Sequence, residues 1–371
     1  MIPFQIPNIT GKELTYLDDV IKSGHLSGNG KYTNLCQNLF KEKYNINKSL
    51  LTNSCTSALE MTALLLNIQA GDEIIVPSFT YVSSVNPFLV LGAKIIFADS
   101  KSDSPNIDTS TIKNLITKKT KAIVIVHYAG ISCDMDNIIS IAKNNNIWII
   151  EDAAHAQGAK YKGKNLGSIG HFGTLSFHAT KNITSGEGGL LMINDSSFIE
   201  RAEIIWEKGT NRQKFLHGKV NKYEWCDIGS SFYPSELTAA FLWAQLEKID
   251  EVNTHRLALW NKYANGLANV QNIEIPKIPP YASHNAHLFY LKLNSKTRRD
   301  QLILDLKKRG VESSFHYMAL HKSPFWSSRN KQRLPNAKMW EDTIIRLPLY
   351  YDLGLRQVDF IIENICQLME S

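Results

Sequence analysis

Between residues 52 and 195, short apolar runs alternate with segments whose apolar positions recur every three or four residues. The runs Glu73–Val76, Lys94–Ala98, Ala122–Val126, Trp148–Glu151, Thr174–His178 and Leu190–Ile193 are strand-length and mostly rich in Ile, Val and Leu, the pattern of buried strands. Thr56–Asn67, Val82–Leu91 and Met135–Asn145 have helical spacing and fill the gaps between them. Apolar strands separated by helices predict a mostly parallel sheet covered on both faces. Ligands of such sheets bind beyond the carboxyl ends of the strands, so chemistry is expected just after the apolar runs. Downstream, Leu237, Phe241, Ala244, Leu246 and Ile249 predict a long helix over 234–267. The turn-rich segment Ile275–Pro280 then leads into a smaller α+β unit. In that unit His287–Leu293 reads as a strand and Arg298–Arg309 as a helix capped by Gly310. Near the start, Gly24, Gly28 and Gly30 predict a short helix and then a flexible loop.

The chain has 371 residues, 41 Lys+Arg against 35 Asp+Glu, and hydrophobic residues make up 43%. This is material for about two domains with a large core. The reading places the boundary near residue 250: a large domain with an N-terminal arm over 1–250, and a small α+β domain over 251–371. Both charge signs are interspersed, so a net charge of +6 gives no nucleic-acid footprint. No apolar stretch approaches a membrane span, and residues 1–5 lack the layout of a signal peptide, so the expected location is cytoplasmic. The five cysteines are scattered without CxxC spacing, which argues against a disulfide framework and a cysteine zinc site.

Three constellations carry candidate chemistry. Glu151-Asp152 ends a predicted buried strand, which aims a carboxylate into the ligand crevice; a helix cap or a metal ligand is the alternative. Lys181 follows another strand among small and polar residues, with Gly186-Glu187-Gly188-Gly189 downstream. A lysine held in a desolvated crevice loses its proton more readily and attacks carbonyls, whereas a surface loop lysine does neither. Thr52–Leu59 is hydroxyl-rich and opens a helix, which suits either a phosphate cradle or an ordinary Ser/Thr cap. Taken together they suggest pyridoxal 5′-phosphate (PLP), which needs a lysine for its aldehyde, a carboxylate for its ring nitrogen and a phosphate cup. His284 and His287 lie three residues apart, but no third ligand accompanies them, so no metal is expected.

With those residues in view, the chain resembles the DegT-type nucleotide-sugar aminotransferases of the fold-type I PLP class. The likeness runs nearly end to end, through Leu26–Gly30, Gly71–Ser78, Val126–Gly130, Glu151–Ala154, Ser176–Asn182, His316-Tyr317 and Leu320-His321. Arg201–Arg212, Asp227–Ser231, Ala239–Leu246 and His284–His287 resemble the subgroup that aminates C4 of a dTDP-4-keto-6-deoxy sugar. The resemblance implies an α/β fold with a large, mostly parallel, seven-stranded sheet and a smaller C-terminal α+β domain. It further implies a homodimer with shared active sites, L-glutamate as amino donor, and a product of galacto configuration. A C3 or gluco product within the family stays open, as does a non-catalytic PLP-binding sensor; a family dehydratase would carry His in place of Lys181.

Residue by residue, the resemblance implies Lys181 as the catalytic lysine and Asp152 as partner of the ring nitrogen. Tyr81 would stack on the ring, and Cys55, Thr56 and Ser176 would contact the phosphate. Gln157 or His155 would lie near the ring's phenolic oxygen, His155 standing where close relatives tend to have Gln. Ser231 stands where many members place an Asn that reaches the neighbouring subunit's phosphate. Arg212, His316, Tyr317 and His321 are the expected substrate-pocket residues.

Overall fold

The structure is a computed structural model that describes residues 1–216, 218–328 and 332–370. Its central sheet has seven strands: β1 (Lys48–Thr52), β2 (Glu73–Pro77), β3 (Lys94–Ala98), β4 (Thr120–Val126), β5 (Trp148–Asp152), β8 (Phe172–Ser176) and β9 (Gly189–Ile193). Two short strands, β6 (Lys160–Tyr161) and β7 (Lys164–Asn165), form a hairpin between β5 and β8. The order across the sheet is β1-β9-β8-β5-β4-β2-β3. Strands β3, β2, β4, β5 and β8 run parallel, while β9 runs antiparallel to both of its neighbours. Ile74, Ile75, Val76, Ile123, Val124, Ile149 and Ile150 are all buried, as a sheet covered on both faces requires. The parallel strands therefore end together at one edge, where Ser78, Asp152 and Ser176 sit.

A second, three-stranded sheet joins β10 (Ile273–Glu274), β12 (Phe289–Leu293) and β13 (Ile344–Leu347). β11 (Ala282–Ser283) instead adds to the β6–β7 hairpin and so bridges the two sheets' surroundings. Helices Ile249–Leu267, Lys296–Lys308 and Leu355–Glu370 cover the second sheet around a core of Leu259, Tyr263, Phe289, Leu291 and Ile361. Ile2 belongs to that core: its N–H donates to Gly310 O at 2.7 Å, and its carbonyl accepts from Glu312 N. The N-terminal arm, grouped above with the large domain, is thus bonded at its tip to the C-terminal unit.

The helix expected over 234–267 is two helices, Glu236–Leu246 and Ile249–Leu267. The first packs against the helices Glu13–Ser23 and Lys31–Tyr44, the second against Leu355–Glu370. Similarly, Val82–Leu91 breaks into a 3₁₀ turn, Val82–Ser84, and a short helix, Asn86–Val90, because Pro87 starts a new helix rather than continuing one.

Glu236 fastens the loop around Gly28 and Gly30 to the body. Its carboxylate accepts from Gly30 N (2.9 Å), Tyr32 N (2.7 Å) and Thr33 N (3.1 Å), and also from the Thr33 hydroxyl. It therefore caps the helix Lys31–Tyr44 from a distant part of the chain, placing a buried negative group at the positive helix end. Gly28 is required because a Cβ there would lie 2.2 Å from Pro234 O. Glu236→Ala leaves several buried N–H groups without an acceptor and is expected to cost roughly 2–4 kcal/mol of stability. Urea unfolding with an unchanged m-value checks this; a loss under 1 kcal/mol, on the order of one exposed cap, would refute it.

Candidate active site

At the carboxyl edge of the large sheet lies a cavity of about 810 Å³ that reaches the second sheet. Strand β5 delivers Asp152, which is only 6% exposed. Its Oδ2 accepts from Ser84 Oγ at 2.7 Å and its Oδ1 from Ala154 N at 3.2 Å. Burial pushes its carboxyl above the usual range, while those two hydrogen bonds and the nearby Lys181 pull the other way.

Strand β8 ends in Ser176, and the turn after it carries Lys181, whose N–H donates to His178 O at 2.9 Å. Among the described residues none accepts a hydrogen bond from Lys181 Nζ or pairs with it. Burial lowers its pKa from 10.5 to about 8, against the raising pull of the Asp152 carboxylate. Near pH 8 roughly half the amine is neutral and nucleophilic, which is rare for a lysine.

The third element is the helix Cys55–Leu65, capped by Ser54, whose Oγ accepts from Ser57 N at 3.0 Å. The N–H groups of Cys55 and Thr56 have no acceptor among the described residues and open on the cavity at the positive end of an 11-residue helix. Gly189 makes this placement possible, since a Cβ there would lie 2.4 Å from Cys55 N. The Thr56 hydroxyl donates to Ser83 Oγ at 2.8 Å, and the Cys55 thiol contacts Thr174 Oγ1 at 3.5 Å. Burial pushes that thiol pKa up, so it stays protonated.

Opposite stands a wall of rings. His155 stacks on His287 at 4.3 Å, and His316 stacks on Tyr317 at 3.7 Å. Tyr317 Oη lies 3.1 Å from His155 Nε2. Burial pushes the pKa of all three histidines well below 6.5, so this wall is uncharged at neutral pH. Tyr81 stands at the rim, 59% exposed, with its ring 6.1 Å from that of Tyr317.

A desolvated amine, a buried carboxylate and a helix start with open N–H groups converge on one cavity, which fits an aldehyde-bearing, phosphorylated, basic aromatic ring. Of the residues singled out in the sequence, Lys181, Asp152, Tyr81, Cys55, Thr56, Ser176, His155, His316 and Tyr317 line it together. Four do not. Gln157 is buried beside the site with both side-chain polar atoms unpartnered, and its carbonyl accepts from Asn253 and Asn285. His321 is buried and bonded to Ser78 Oγ at 2.7 Å. Arg212 pairs with the buried Glu207 at 2.7 Å on the outer face. Ser231 is exposed, bridges to Glu207, and accepts from Asn53 Nδ2 through its carbonyl.

The lining residues that escaped the sequence reading include Arg346, Phe4 and Gln5. Arg346 on β13 donates from Nε and Nη2 to Phe315 O at 3.1 and 3.0 Å and lies 4.8 Å from the Phe4 ring centre. Among the described residues it has no carboxylate partner. The signal was a charge inside the apolar run Ile344-Ile345-Arg346-Leu347. Phe4 and Gln5 roof the cavity, with Phe4 N donating to Glu312 Oε2 at 3.0 Å; nothing in their sequence signals that position.

The match to known proteins is extensive. The DegT/DnrJ/EryC1/StrS aminotransferase family model matches residues 7–366. GDP-perosamine synthase of Escherichia coli O157:H7 is 32% identical over 365 residues, covering 98% of this chain and 97% of that protein. An uncharacterized protein of Methanocaldococcus jannaschii is 33% identical over 357 residues, covering 94% of this chain and 92% of that protein. Among solved structures, a putative sugar aminotransferase from Streptococcus pneumoniae in its PMP form superposes with a TM-score of 0.93 at 28% identity, covering 100% of this chain and 99% of that one. DesV of S. venezuelae, in complex with a ketimine intermediate, gives 0.91 at 27% identity with 100% and 99% coverage.

The lowered pKa of Lys181 has a direct readout in cofactor-free protein. Reductive methylation of Lys181, followed by peptide mass spectrometry, is expected to rise through about pH 8 and level off, while surface lysines keep accelerating toward their ordinary pKa of about 10.4. Parallel profiles for Lys181 and the surface lysines would contradict the desolvation argument. The cavity, its three chemical elements and the match over residues 7–366 lead to one conclusion: this chain belongs to the DegT/DnrJ/EryC1/StrS aminotransferase family.

Proposed function

We propose that the protein is a PLP-dependent aminotransferase that moves the amino group of L-glutamate to C4 of dTDP-4-dehydro-6-deoxy-D-glucose. The products are dTDP-4-amino-4,6-dideoxy-D-galactose and 2-oxoglutarate. The observation that carries this reading is the unpaired, desolvated Lys181 facing buried Asp152 in the cavity. Bound PLP supplies an aldehyde that takes up the amino group and a protonated ring that draws electrons from the donor's Cα.

The chain's own residues do the rest. Lys181 would hold the PLP aldehyde, and its Nζ would take the proton from the donor's Cα and return it at the acceptor carbon. With its pKa near 8, it performs both transfers close to neutral pH. Asp152, held by Ser84 and Ala154, would pair with the ring nitrogen and keep it protonated. The amides of Cys55 and Thr56 and the Ser176 hydroxyl, all lining the cavity, would receive the phosphate, and Tyr81 would cover one ring face. His155 would lie beside the ring's phenolic oxygen, and His316 and Tyr317 form the wall against which the sugar lies. Gln157 and His321 are buried outside the lining: Asn285 Nδ2 bonds both Gln157 O and His155 O, and His321 bonds Ser78 Oγ.

The working unit in this reading is a homodimer, in which Ser231 and Arg212 reach the neighbouring subunit's site. Its support is the apolar exposure around them: Trp225 is 83% exposed, Ile228 57% and Leu216 57%. C4 regiochemistry and the dTDP carrier rest on the likeness of Arg201–Arg212 and Asp227–Ser231 to the subgroup named earlier. A GDP-linked keto-sugar is the second reading, favoured by the 32% identity to GDP-perosamine synthase.

NMR of the product formed from purified protein, L-glutamate and the dTDP-4-keto sugar tests the proposal. An amine at C4 with a small H3–H4 coupling is expected; a large coupling would change the product to the gluco epimer, and no aminated product would refute the acceptor. Lys181→Ala should abolish turnover, and appreciable residual activity would remove the lysine from its role.

A further inference from the structure

Lys181 enters the cavity from a turn that its sequence neighbour fastens to the C-terminal unit. We propose that Asn182 is the positioning residue for Lys181: its side-chain amide, held by Asn253 and Asn285, fixes the backbone from which the amine reaches the cavity. The catalytic consequence rests on the proposed aminotransferase function; the fastening does not.

Between β8 and β9 the chain turns back on itself, and the bonds of the turn are mostly internal. Ala179 N donates to Gly186 O, Lys181 N to His178 O and Thr180 N to His178 Nδ1. Among the described residues, the hydrogen bonds that tie residues 180–183 to anything outside the turn all come from the Asn182 side chain. Its Nδ2 donates to Asn253 Oδ1 and to Asn285 O, both at 2.9 Å, and its Oδ1 lies 3.1 Å from His287 Nδ1. Asn285 O only accepts, so Nδ2 must face it, which leaves Oδ1 to accept from His287 Nδ1–H. Both amide protons and the oxygen are therefore used, on a side chain that is almost fully buried. Ile183 is buried next to it, but apolar packing is non-directional, so the angle of the turn is left to these bonds.

The partners are themselves pinned. Asn253 stands in the helix Ile249–Leu267, and its own Nδ2 donates to Gln157 O at 3.2 Å. Asn285 Nδ2 donates to His155 O and Gln157 O, both at 3.0 Å, and its Oδ1 accepts from His287 N at 3.2 Å. One turn beyond Asn253, the buried Arg256 donates to Ala286 O at 3.1 Å and to His287 O at 2.6 Å. Two glycines keep the space open: a Cβ at Gly130 would lie 1.9 Å from Asn285 Oδ1, and one at Gly158 would lie 2.8 Å from Asn253 Nδ2. Three asparagines thus join the turn that carries Lys181 to the segment 155–157 that follows Asp152, by way of C-terminal residues.

Nothing at the tip of Lys181 holds it, since Nζ has no partner among the described residues; its place is set from the Cα, one peptide bond from Asn182. None of the three asparagines lines the cavity, so a cofactor seated there takes none of their bonds. While Lys181 holds the PLP aldehyde it is fixed at both ends. Once the donor's amine has replaced it, only the backbone end remains, and at that stage the amine has a proton to move. A displacement of about 1 Å there costs up to about 100-fold in rate.

Two measurements test this. In cofactor-free Asn182→Ala protein, the reductive-methylation midpoint of Lys181 should climb from about pH 8 toward the ordinary value of about 10.4, because a loosened turn admits water to the amine. In the cofactor-loaded variant, stopped-flow absorbance should show the maximal rate of the glutamate half-reaction about 10- to 100-fold below wild type. The half-saturating glutamate concentration should change less than about threefold, since Asn182 lies outside the cavity. Asn253→Ala, which removes an acceptor from the far side, should act in the same direction, and the double variant should lose less than the product of the two single effects. An unchanged methylation midpoint, a slowing carried wholly by the half-saturating concentration, or single effects that multiply would each overturn the inference. If Asn182→Ala does not fold, Asn253→Ala decides by the same two readouts. A wild-type protein without a glutamate half-reaction would instead sink the aminotransferase reading and leave the methylation profile to decide the fastening.

Discussion

The site depends on a carboxylate that never touches it. Glu151, fully buried, accepts from Gly167 N (2.8 Å), Ile169 N (2.7 Å), Gly170 N (2.6 Å) and His127 Nε2 (3.0 Å). Successive strand residues point to opposite faces, so Glu151 and its neighbour Asp152 look in opposite directions from the end of β5. One gathers the loop before β8 and the end of β4; the other enters the cavity. Without the first, the loop's N–H groups would be buried without partners, a cost of about 1–3 kcal/mol each. The position of Asp152 is thus set by a network formed on the far side of the sheet.

Desolvation is the common electrical condition of the cavity. It raises Asp152, lowers Lys181 and keeps His155, His287 and His316 neutral. Each shift disfavours the charged form, and burial brings the Lys181 amine toward neutrality. Arg346 is the exception, a cation retained without a carboxylate of its own, stacked near Phe4 and bonded to a carbonyl. Such a charge among neutral rings suits the binding of an anion from outside the chain.

Much of this was legible from residues. The predicted strands match β2, β3, β4, β5, β8 and β9 to within about two residues at each end, because buried parallel strands are written as unbroken Ile/Val runs. Lys181, Asp152 and the start of the helix Cys55–Leu65 follow from the rule that ligands bind at strand ends. What escaped had no local signature. β1 is two leucines between polar residues, paired at the sheet edge with β9. The break between Leu246 and Ile249 contains neither Gly nor Pro; it arises because the two helices pack on different partners. Arg212 and Ser231 carry motif likeness but lie outside this chain's cavity. Their distance from Lys181 comes from tertiary placement, which no spacing encodes.

The pairing of Ile2 with Val311 has a consequence in time as well as in space. The arm and its bonding partners stand some three hundred residues apart in sequence. Until they meet, Phe4 and Gln5 have no roof to form, and Lys181 faces open water. Water keeps an amine protonated and unreactive. The lysine's shelter is therefore tied to a contact of high sequence separation, a kind that forms late in folding because its loop-closure entropy must be met first.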